Sequence, residues 1–166
     1  MAELKPITAA GVPAALQKAE RYRLLNDSVC AESICQDVLA IDGENQGAIV
    51  TLLLSITDQF AHESGDAARR AQELLPRIRD PYKRAYYAGI ILERWAKAQL
   101  HRGLPSAADI AAEYYHRAME HYEEAERLRP AGNDESILRW NTCARMLARH
   151  ERPAVTNDEY EPVLED

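Results

Sequence analysis

Few residues of this chain have the types and spacing that catalysis or metal binding needs, and each also has an ordinary structural use. Glu113-x2-His116 puts a carboxylate and an imidazole on one helical face, the ligand arrangement of helix-bundle carboxylate metal centres. Such a centre takes a second Glu-x2-His and two more inward carboxylates, and the sequence has no other Glu-x2-His. The surrounding AAEYYHRAMEHYEEAE reads as a solvated helix face, so no metal and no cofactor are expected. Asp58-x3-His62 pairs an acid with a base one turn apart. It has no supporting Gly-x-Ser-x-Gly, phosphate-cradling glycine loop or His-Glu-x2-His, so a metal-dependent bundle enzyme is a distant alternative and a non-catalytic protein the expectation. Cys30 and Cys35 lie five apart, which is not a metal-knuckle spacing, and three cysteines cannot pair completely. They read as reduced thiols, two of them in the core.

The residue types that suit binding are more concentrated. Tyr82, Tyr86, Tyr87 and Trp95 stand beside Lys83, Arg84, Arg94 and Lys97, the aromatic and arginine mixture that dominates interaction hot spots. Tyr82, Tyr86 and Ile90 continue a packing stripe, which leaves Tyr87 and Arg94 nearer an open face.

Helices must position these groups, because the chain is rich in Ala, Leu, Glu and Arg, with seven glycines and one phenylalanine in 166 residues. Start and stop signals divide it into seven. A helix from about Val12, with Pro13 in its first turn, ends at the turn Asn26-Asp27-Ser28. A second carries Ala31, Ile34, Cys35, Val38 and Leu39 to Asp42-Gly43, with Gly43 expected as a left-handed terminator. Asn45 caps a third, apolar on nearly every side and therefore central. Asp66 caps a fourth bearing Ala68, Ala71, Leu74 and Leu75, Asp80-Pro81 opens a fifth to about Arg102, and Pro105-Ser106-x-x-Asp109 reads as a capping box for a sixth. A seventh runs from about Glu135 to His150.

The second and sixth helices share a spacing. Ala31-x3-Cys35-x2-Val38-x4-Gly43 matches Ala118-x3-Tyr122-x2-Ala125-x4-Pro130, small residues admitting a neighbouring helix on either side of a bulkier one. At these residues the chain resembles the tetratricopeptide repeat family, whose 34-residue helix pair has a W-x2-L-G-x2-Y first helix and an A-x3-F…P second. Ala19-x2-Tyr22 fits part of the first-helix pattern, and Trp140-x2-Cys143-Ala144-x2-Leu147 fits it loosely throughout. Turn markers at Gly43, Pro81 and Pro130 are spaced more widely than the family's period.

The resemblance implies an all-α, right-handed solenoid of three helical hairpins plus a C-terminal capping helix over residues 12–150, after an N-terminal extension, 1–11. An ordinary up-down bundle is the alternative architecture. It further implies a non-catalytic adaptor that takes a protein or peptide segment in its concave groove, with first helices lining that groove. Arg23, Leu54, Asp58, Tyr87 and Arg94 are the candidate binding residues, and the Lys/Asn set with which some family members grip a peptide terminus is not evident. A structural homodimer module is the second functional reading.

Asp58 and Arg94 invite a further expectation. Both stand thirteen residues past their helix-start signals, Asn45 and Pro81, so parallel first helices place them at one height. A carboxylate near a helix C-terminus needs a compensating cation, and Arg94 is the candidate.

Charge defines the remaining classes. The formal net charge of −7 argues against nucleic acid and anionic membrane as partners, and neither a membrane span nor a secretion signal is evident, so a cytoplasmic protein, monomer or homodimer, is expected. The total conceals a gradient: residues 66–103 carry nine basic and four acidic side chains, residues 151–166 one and six. The latter reads as a mobile acidic tail, and the opposite signs suggest that it visits the basic helices.

Overall fold

The computed structural model describes residues 2–62 and 66–151, in which seven α-helices form and no strand occurs. They are α1 (Val12–Leu24), α2 (Ser28–Ile41), α3 (Gln46–Asp58), α4 (Asp66–Leu74), α5 (Pro81–Arg102), α6 (Ala107–Leu128) and α7 (Glu135–Glu151). Of the expected acidic tail, 151–166, Glu151 belongs to α7 and residues 152–166 lie outside the described residues. Short 3-10 turns precede α1, at Ala9–Gly11, and follow α4, at Leu75–Arg77. Ile7, within the N-terminal extension, packs on a small cluster of Val12, Val38 and Ala48.

Local chemistry sets most of these boundaries. The side chains of Asp27, Asn45 and Asp80 accept hydrogen bonds from the orphan amides of Cys30, Ala48, and Tyr82 with Lys83, fixing where α2, α3 and α5 begin. Asn26 takes a left-handed conformation, φ 61°, and compresses the α1–α2 link to a tight turn. Two expected signals act differently. Gly43 is not left-handed, and the chain leaves α2 through a non-helical Asp42, φ −130° and ψ 83°, whose amide donates to the Val38 carbonyl. Ser106 makes no side-chain cap, so α6 starts without its capping box.

Sequential helices pack on one another, and α1 also touches α3, as α3 touches α5. Helices α3, α5 and α7 start at one end. Gln46, first in α3, donates to the Arg77 carbonyl and accepts from the Arg79 amide just ahead of α5, and Tyr82 near the start of α5 donates to Asn133 just ahead of α7. The even helices carry their most buried residues at a shared spacing: Ala31, Cys35 and Val38 in α2, Ala67, Ala71 and Leu74 in α4, and Ala118, Tyr122 and Ala125 in α6. In α4 Ala67, in place of the expected Ala68, is thus buried together with Ala71 and Leu74, while Ala68 and Leu75 are half-buried. α3 is the most enclosed for its length, eight of thirteen residues being buried. Its apolar side chains sit in a core shared by α1 to α5, while a second core joins α5, α6 and α7.

Candidate functional site

Asp58 closes α3, where its carboxylate meets the negative end of the helix dipole. Two arginines from flanking helices compensate it. Arg23 Nε of α1 donates to Oδ2 at 2.8 Å, and Arg94 Nη1 of α5 donates to Oδ1 at 2.5 Å, as expected of the Asp58–Arg94 pair. The same nitrogen donates to the Leu54 carbonyl at 3.2 Å and the Thr57 hydroxyl at 2.7 Å, so Arg94 also ties down the last turn of α3. Burial lowers the pKa of Arg94 and the Asp58 charge works against that shift. The three charged groups are each about one-fifth exposed, which strengthens their attraction over that of a surface pair.

Of the five candidate residues, Arg23, Asp58 and Arg94 are brought into direct contact, and the Leu54 carbonyl joins them through Arg94. Leu54 and Tyr87, both half-buried, touch the two cores at once and lie between them. The Tyr87 ring meets Tyr86 edge-on at 5.2 Å, and burial pushes its phenol up to about 12, with Arg23 opposing.

Next to Arg94 stands a group that the sequence did not single out. Glu93 is wholly buried, yet its carboxylate is fully engaged: Tyr122 Oη donates to Oε2 at 2.7 Å, Lys97 Nζ to Oε1 at 2.6 Å and Arg139 Nη1 of α7 to Oε1 at 3.3 Å. A buried carboxylate survives only with such partners. The one signal in the sequence, Glu93 four residues before Lys97, is also the commonest surface pair on a helix, so burial was not readable from it. Arg139 belongs to the same group and was equally unmarked.

Lys97 and Arg139 are anchored at Glu93 but stay partly exposed, 44% and 36%. With Arg94, His101 and Asp58 they wall a cleft of ≈ 440 Å³ over Phe60 and Ala98. Four cations, Arg23, Arg94, Lys97 and Arg139, face two carboxylates, so the neighbourhood keeps an excess of positive charge suited to an anionic ligand.

The other candidate chemistry does not assemble. Glu113 and His116 are exposed, and among the described residues no group of three or more His, Cys, Asp or Glu converges as a metal site. Asp58 is held by arginines, while His62 lies edge-on to His101. Cys35 and Cys143 are buried, which pushes both thiols up to about 12, and Cys30 is exposed. Trp95 packs edge-on to Phe60 with the Arg102 guanidinium over its ring, so it serves the core more than a free surface. No helix among the described residues is long and apolar enough to cross a membrane. No protein-family model, curated protein or solved structure matches the chain.

Proposed function

We propose that the chain is a non-catalytic scaffold of three tetratricopeptide-like hairpins, α1–α2, α3–α4 and α5–α6, closed by α7, and that it holds an acidic protein segment in the cleft between α3, α5 and α7. The observation that carries this reading is the bridging of Asp58 by Arg23 of α1 and Arg94 of α5, which supports α1, α3 and α5 as successive first helices with basic groups between them. The spacing shared by the buried residues of α2, α4 and α6 supports the repeat. Half-buried Tyr87 and Leu54 would offer apolar anchors beside the cations, the combination from which binding hot spots are made.

The test uses the full chain and a fluorescent probe peptide alternating Glu with Tyr. Its binding should weaken with added salt and with His101→Glu, which lowers the cleft's positive charge by one without touching the Glu93 network, and the same peptide with Lys for Glu should not bind. Equal binding of the two peptides, or none, overturns the reading. A structural homodimer is the second reading, favoured by Leu24, Leu25 and Val29, which are 84%, 68% and 67% exposed around the α1–α2 turn. Sedimentation of the full chain and a Leu24→Asp, Leu25→Asp variant separates it from the first.

A further inference from the structure

The cleft has a ligand within reach in the same chain. We propose that residues 158–165 of the acidic C-terminal segment occupy the cleft walled by Arg94, Lys97, His101 and Arg139, so that the scaffold shields its own binding site. This rests on the scaffold reading above and adds a regulator to it.

Charge is the first argument. The segment brings Asp158, Glu159, Glu161 and Glu165 to a neighbourhood with excess positive charge, and it interleaves them with Tyr160, Val163 and Leu164, which suit the apolar floor of Phe60 and Ala98. Position is the second. α7 starts beside the start of α5, as the Tyr82–Asn133 bond fixes, and Arg139 then reaches Glu93, so the two helices run in the same direction. α7 therefore ends at Glu151 on the side of the fold where His101 stands in the last turn of α5. Twelve helical residues separate Arg139 from Glu151, about 18 Å of rise. The nine residues from Glu151 to Tyr160 span up to about 30 Å when extended, enough to turn back into the cleft. Tethering is the third. A short linker supplies an effective concentration of about 1 mM, so a segment with an intrinsic dissociation constant of about 0.1 mM shields the cleft about tenfold.

The experiment replaces Tyr160 in the full chain with the photo-crosslinker benzoylphenylalanine. Irradiation should give crosslinks of monomer mass to peptides from the end of α3, the second half of α5, and α7. Their yield should fall at high salt, with His101→Glu, and when Asp158→Asn, Glu159→Gln and Glu161→Gln remove charge from the segment without altering the folded helices. Crosslinks scattered over other helices, insensitive to these changes, or found only at dimer mass overturn the proposal. A second readout separates it from the scaffold reading: the charge-depleted chain should bind the Glu–Tyr probe about tenfold more tightly than the parent. Equal affinities for the bound probe overturn the shielding and leave the scaffold standing. Failure of both chains to bind overturns the scaffold, and the crosslinks then decide alone whether the segment sits in the cleft.

Discussion

Asp58 and Glu93 are both carboxylates on packed helices, but only one was legible in the sequence. Asp58 could be paired with Arg94 by counting from two helix starts, because a pair between parallel neighbours depends on height alone, and the structure places them in contact. Glu93 could not, because its burial is made by Tyr122 and Arg139, twenty-nine and forty-six residues away. Tyr115 presents the opposite case to Tyr122. Its hydroxyl is buried and has no hydrogen-bond partner among the described residues, an arrangement that costs about 1–3 kcal/mol. Burial, with smaller contributions from Cys143 and Glu93, pushes the phenol up to about 12. Because the folded pKa is raised, ionisation of this phenol costs the fold nothing below the unfolded value of about 10, and stability falls as pH climbs from there toward 12, since the unfolded chain loses the proton first. Tyr115→Phe should therefore be as stable as the parent or more so at neutral pH, and its stability should fall less steeply between pH about 10 and 12. Urea melts at a series of pH values check both parts. A variant clearly weaker than the parent at neutral pH would show that the hydroxyl contributes a favourable contact.

At the scale of the elements, helix starts were the most legible feature, since Asp27, Asn45 and Asp80-Pro81 are chemical signals in consecutive residues. Helix faces were less so where identical neighbours occur. In α4 the doublet Ala67-Ala68 let the first residue of the buried stripe be read one position late, while Ala71 and Leu74 were read correctly, and one residue turns the face by about 100°. One close helix contact went unmarked although its signal was present, a glycine in the middle of α5. A Cβ at Gly89 would lie 2.5 Å from the Tyr122 ring. That ring cannot retreat easily, because it is fully buried, its hydroxyl is bonded to Glu93, and Tyr86 covers it at 5.9 Å. Replacing glycine by alanine inside a helix normally gains up to about 1 kcal/mol, while overpacking a core costs about 1–3 kcal/mol. The steric term should win at this site, and Gly89→Ala should be destabilised by about 1–2 kcal/mol in thermal melts. Gly47→Ala in α3 is the control. Its new Cβ would meet only ordinary contacts, at 3.4 Å to Asn45 and 3.6 Å to Leu16, so it should be neutral or slightly stabilising. Equal effects at the two sites would mean that α5 and α6 are free to separate.

Across the whole molecule, the even-helix spacing organises two cores of unequal reinforcement, joined through Leu54 and Tyr87. α5 and α6 are the longest helices, twenty-two residues each, and between them bury the Glu93–Tyr122 contact and the Gly89 approach. α4 is the shortest at nine residues, with only Ala67, Ala71 and Leu74 buried. Two small side chains and one leucine anchor it weakly, since hydrophobic stabilisation scales with the apolar area removed from water. The pairs of Arg69 with Asp66 and Glu73 lie within α4 and are about 60% exposed, so they hold its own turns and add little to its docking. Arg70 reaches Glu32 of α2 and is the charged tether that does cross between helices. Because α4 packs mainly on α3 and α5, its neighbours in the chain, such a weak element opens without the rest. Native-state hydrogen exchange should therefore find two classes of amide. Those of α4 should exchange through an opening well below the global unfolding free energy and with little dependence on denaturant, because little surface is exposed when α4 lifts away. Those in the middle of α5 and α6 should exchange only with global unfolding and show its full denaturant dependence. Arg70→Ala should accelerate the first class and leave the second nearly unchanged. A single class throughout, or an α4 as protected as α6, would mean that the chain unfolds as one cooperative body in spite of its thinnest helix.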